Sequence, residues 1–93
     1  MNIRLRDFQN HYDMKIYLLT LKTPFRIETY DSCVVCADNE QDARSITPDG
    51  NPIKEGDRSS SWAVRTSDIV CQEIGTANKS QERGLILSSF SGY

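Results

Sequence analysis

No apolar run in this 93-residue chain approaches the roughly 20 residues that a membrane-spanning helix needs, so no helical anchor is expected. The N-terminal stretch Met1-Asn2-Ile3-Arg4-Leu5-Arg6-Asp7-Phe8 lacks the continuous apolar core of a signal peptide. A basic run is missing too: eleven Lys and Arg face thirteen Asp and Glu, for a net charge of −2. Clustered cations supply most of the affinity of nucleic-acid binding. The charge balance therefore argues against direct nucleic-acid contact, and a partner with a basic surface is the better match.

Histidine occurs once, as His11, and the cysteine count is three, so a full set of internal disulfides is impossible. With no secretory signal, Cys33, Cys36 and Cys71 read as reduced thiols of a cytoplasmic protein. All three lie within apolar runs, where cysteine serves as a small core side chain. A catalytic pair of His11 with Cys33, Cys36 or Ser88-Ser89 would require the N-terminus to fold back, and no spacing singles out a pair of carboxylates. The residues thus suggest no catalytic group, no cofactor and no metal site.

What is present fits one small domain. Lys15–Lys22 is rich in β-branched, aromatic and aliphatic residues and is closed by Thr23-Pro24. Its nearly continuous apolar character predicts a central strand covered on both sides, at least partly, with later strands flanking it. Phe25–Asp31 alternates apolar and polar residues and reads as a hairpin arm and loop leading into Ser32–Ala37.

Cys33-Val34-Val35-Cys36 has the spacing of a redox or zinc motif, but Val-Val is stiff and β-prone. In a strand, side chains alternate faces, which sends Cys33 and Val35 one way and Val34 and Cys36 the other. A dithiol site needs its sulfurs to converge, so the motif is read as structural. A short helix follows, with Asp38 as its cap, Gln41 three residues on, and Glu40 and Asp42 in the first turn. Ala43 and Ile46 form its apolar face, and Thr47-Pro48-Asp49-Gly50 ends it.

Residues 48–61 are polar and rich in Pro, Gly and Ser, a long loop for so small a domain and the candidate for mobility. Order resumes at Trp62-Ala63-Val64, and Trp62 is expected in or at the edge of the core. A turn at Thr66-Ser67-Asp68 precedes a strand over Ile69–Ile74. After a polar connection, Gly84 opens the last strand, Leu85–Phe90. The expected fold is α+β: a mostly antiparallel sheet of about four strands in the order β-β-α-β-β, with one short helix. Residues 1–13 read as an N-terminal extension, disordered or held by a partner, and residues 14–93 as the domain.

Tyr17–Pro24, Thr29–Ser32, Val34–Ala37, Trp62, Ile74–Ala77 and Gly84–Phe90 together resemble a group of small uncharacterised phage and prophage proteins. The resemblance covers most of the chain from residue 15 onward and implies a mobile-element setting, with no chemistry to transfer. Such proteins often occupy a surface of a host complex, as anti-CRISPR and other defence inhibitors do. The resemblance therefore implies a non-enzymatic accessory protein that binds a host protein or complex in the host cytoplasm. Its expected contact residues are Glu40, Asp42, Asp49, Glu55 and Asp57, whose charge suits a basic partner. The alternatives are a self-associating structural protein, with Leu85–Phe90 pairing across a homodimer, and a small enzyme.

Overall fold

The computed structural model describes residues 13–22 and 28–91. Most of the expected N-terminal extension, including His11, and positions 25–27 of the expected hairpin arm lie outside the described residues. Four strands form one sheet: β1 (Lys15–Leu21), β2 (Thr29–Ala37), β3 (Ile69–Thr76) and β4 (Gly84–Ser91). Between β2 and β3 come the helix α1 (Glu40–Arg44) and a 3-10 turn at Thr66–Asp68. The spatial order is β3-β1-β2-β4, and all three pairings are antiparallel. Among the described residues β1 and β2 are thus the inner strands, while β3 and β4 form the two edges.

The two faces of the sheet differ sharply. On one face, rows such as Cys71–Leu19–Cys33–Ser88 and Glu73–Tyr17–Val35–Leu85 run across the strands. Tyr17, Leu19, Cys33 and Val35 from this face are buried with Ala43 of α1 and with Ile46, Trp62 and Ala63 from the loop segment. The five-residue helix is too short to cover a sheet alone, so the irregular chain from residue 45 to 65 supplies the rest of the layer. Trp62, fully buried, is its largest contribution.

On the other face no second layer lies over the strands among the described residues, apart from one corner where Met14 and Ala77 pack on Cys36 and Ile16. The Ala77 N–H donates to the Met14 carbonyl (2.8 Å), tying the chain entering β1 to the chain leaving β3. β1 is therefore fully covered on its Tyr17–Leu19 face, while Ile16 and Leu18 are only half-buried. No helix of the described residues is long and apolar enough to cross a membrane.

Two details depart from the sequence reading. The helix cap is Asn39 rather than Asp38: Asn39 is extended (φ −160°, ψ 177°) and its side chain accepts from the Asp42 N–H at 2.8 Å. The Asp42 carboxylate in turn accepts from the Asp38 N–H at 3.0 Å, so two backbone donors at the start of the helix are satisfied by side chains. Second, Thr29–Asp31 does not form a separate arm but opens β2 itself, with the register shifting between Tyr30 and Ser32 so that Asp31 is the extra residue of a bulge.

Candidate functional site

The two cysteines of the Cys-x-x-Cys stretch diverge as strand alternation requires. Cys33 belongs to the main core cluster, and Cys36 belongs to the small cluster on the opposite face. Cys36 donates to the Met14 sulfur at 3.9 Å, and all three cysteines are free thiols. Burial pushes the Cys33 thiol up to about 12, the reverse of what a nucleophile or metal ligand needs. Among the described residues no group of three or more His, Cys, Asp and Glu side chains could hold a metal ion.

The five carboxylates singled out from the sequence are spread over α1 and the long loop, and each has a partner inside the chain. Glu40 meets Arg44 at 3.1 Å, one helical turn on. Asp42, besides its part in the cap, takes a two-pronged contact from Arg83, with the closest approach 2.7 Å. Asp49 accepts from the Asn51 N–H (2.9 Å) and the Ser61 hydroxyl (2.8 Å), closing the loop across twelve residues. Glu55 accepts from both the N–H and the hydroxyl of Thr66, which hold its carboxyl below the usual range. Asp57 does the same with Ser59, whose hydroxyl contributes most to lowering its carboxyl.

These bonds explain how a segment with so little regular structure keeps its shape. The Gly56 N–H donates to the Val64 carbonyl (2.8 Å), and Gly56 has φ +85°, a left-handed conformation that a side chain would resist. The Tyr30 N–H donates to the Ser61 carbonyl (2.8 Å), fastening the loop to the start of β2. The segment expected to be mobile is thus braced at Asp49, Gly56, Ser61 and Thr66.

The feature that remains after every such group is placed is apolar. Gln72–Leu18–Val34–Leu87 form a row across all four strands on the uncovered face, with Val70–Thr20–Ser32–Ser89 beside it. Among the described residues six large hydrophobic side chains are exposed: Val70 and Ile74 on β3, and Leu85, Ile86, Leu87 and Phe90 on β4. Leu87 is the most open, at 65 %. Phe90 keeps 53 % of its surface open although its ring meets Tyr30 edge to face, centroids 4.9 Å apart. Val70 and Leu87 lie on the uncovered face with the half-buried Leu18 and Val34, whereas Leu85 and Phe90 stand opposite Val35 and Tyr30 on the covered side.

The two edges are not equivalent. β3 carries Glu73, which lies 3.9 Å from Lys15, and charge on an edge strand discourages pairing with another chain. β4 has no charged residue and no proline from Gly84 to Ser91. Its extra residue, Ile86, falls where the register shifts between Val34 and Val35, leaving Leu87–Ser89 in regular pairing with β2. The sequence marks Leu85–Phe90 as a candidate edge but not the uncovered face, since Leu18 and Val34 read like ordinary core residues. Comparison of the chain with protein-family models, with curated proteins and with solved structures finds no match.

Proposed function

We propose that the chain is a non-enzymatic binding protein of a phage or other mobile element, acting in the host cytoplasm by covering a surface of a host protein or complex. A defence inhibitor is one role of this kind. The observation that carries the reading is the uncovered sheet face, where Leu18, Val34, Val70 and Leu87 form an apolar strip with no layer over it among the described residues. The resemblance to phage and prophage proteins supplies the setting.

The partner in this proposal combines an apolar ridge with a basic surround. The chain's net charge of −2 favours such a surface. Glu40, Asp42, Asp49, Glu55 and Asp57 contribute through their charge while their hydrogen bonds hold α1 and the loop in place. Reversing one of those charges would therefore disturb the fold as well as the contact, and substitutions on the open face are the cleaner probe.

The test is capture of a stoichiometric partner from host lysate by the intact chain, repeated with Leu87→Lys and Val70→Lys. Binding that is lost in both variants, and weakened as salt is raised, is the expected result. Failure to capture any stoichiometric partner at low salt, or undiminished capture by both variants, would overturn the proposal.

A further inference from the structure

We infer that β4 is a self-association edge, on which a second copy of this chain adds its own β4 antiparallel to continue the sheet across a two-fold axis. The inference goes beyond the binding of a host partner, because it uses the edge of the sheet rather than its face.

Three observations favour a second copy over a foreign strand. First, among the described residues β4 is an outer strand paired on one side only, with β2, so the backbone donors and acceptors of its other side point away from the sheet. Second, no charge and no proline interrupts Gly84–Ser91, whose one irregularity is the bulge at Ile86, whereas β3 carries Glu73. A neutral strand has no charge with which to select a foreign sequence, and an identical strand brings no like charges opposite one another.

Third, the strand is complementary to itself. A two-fold at Ser88 sets Ser88 against the partner's Ser88 and Leu87 against the partner's Ser89. Residues directly opposite must share a face. Leu87 and Ser89 do so, since they stand opposite Val34 and Ser32, both on the uncovered face. The pairing therefore sets two leucine–serine contacts around a small central pair of serines, and the exposed Leu87 is shielded from water in both copies.

The extent of the contact sets its strength. Eight residues at about 3.4 Å each give an edge about 27 Å long, and a sheet about 10 Å thick makes the contact about 270 Å² in cross-section. That is well below the about 800 Å² per partner of a standard specific interface, so the dimer is weak and its population rises with protein concentration.

The experiment is sedimentation equilibrium of the full chain from about 10 to about 300 µM, spanning the weak-interface regime. The expected result is a mass rising from 10.6 kDa toward twice that value. Ile86→Lys and Ser89→Lys, both at exposed positions, should hold the chain at monomer mass, whereas Ile74→Lys on the other edge should leave the rise unchanged. Hydrogen exchange supplies an independent reading: amides within 85–91 should be slower at the high concentration than at the low one. A monomer throughout the range would overturn the inference, as would a dimer that survives both β4 variants or that only Ile74→Lys dissociates. Neither result bears on whether the open face takes a host partner.

Discussion

At the scale of single residues, the groups that look most reactive in sequence are turned to structural use. Cys33 is 2 % exposed, and its thiol is raised from 9.0 to about 12 because the interior disfavours the thiolate. A group raised in the folded state gives stability that is complete below its unfolded value and is lost as pH climbs through the folded one. Denaturant midpoints should therefore hold below pH 9 and fall above it, with a limiting slope of at most about 1.4 kcal/mol per pH unit from this thiol. Tyr17, raised by burial and then by the charge of Glu73, adds to the loss above pH 10. Cys33→Ala should flatten the profile between pH 9 and 10, and an unchanged slope would show that the thiol is not held neutral.

Asp31 behaves in the opposite sense. The Ser91 hydroxyl (2.6 Å) lowers its carboxyl most, followed by that of Ser32 (2.9 Å), so the bulged carboxylate stitches the end of β4 to the start of β2. Its contribution is present above the ordinary carboxylate range and fades as pH falls through the depressed value. Ser91→Ala should make acid unfolding set in less steeply, measured by circular dichroism from pH 6 to pH 2, while lowering stability at neutral pH by about 1 kcal/mol.

At the scale of elements, α1 is only five residues long and owes its existence to its ends. Asn39→Ala removes the acceptor for the Asp42 N–H and should cost about 1 kcal/mol in urea denaturation. Asp42→Ala should cost more, because the same carboxylate also takes the Asp38 N–H and the Arg83 guanidinium. A double-mutant cycle of Asp42→Ala with Arg83→Ala should return a coupling below about 1 kcal/mol, since the Arg83 side chain is well exposed to water.

Much of this element pattern was legible in the sequence, and the limits have physical causes. β1, β3 and β4 lie where apolar runs are bounded by Pro or Gly, and their observed ends fall within two residues of the expected ones. The divergence of Cys33 and Cys36 followed from strand alternation alone. The cap was misplaced by one position because Asp38 and Asn39 are both good capping residues, and only the backbone angles of Asn39 decide between them. The bracing of the loop rests on bonds such as Ser61 to Asp49 and Thr66 to Glu55, across eleven or twelve residues, for which local composition gives no signal. The proposed contact surface was hidden for a similar reason: whether Leu18 and Val34 are covered depends on which side the helix and loop settle, not on either strand.

At the scale of the whole molecule, a sheet layered on one side places nearly all of its stability in one place. Trp62 reaches the core from an irregular segment and is fully buried there with Leu19, Val35 and Ile69, so the loop is part of the core rather than an appendage to it. Trp62→Ala should cost about 3–5 kcal/mol, a large share of the about 5–15 kcal/mol that holds a domain of this size together. Leu87→Lys, on the uncovered face, should shift stability by no more than about 0.5 kcal/mol. Because the chain has a single tryptophan, its fluorescence reports the loop layer while far-UV circular dichroism reports the sheet. Both signals should unfold at one denaturant midpoint in the native chain, as a single cooperative core requires. An earlier midpoint for the fluorescence would mean that residues 45–65 detach while the sheet persists, and the loop would then be a separable cover instead of the second layer of the fold.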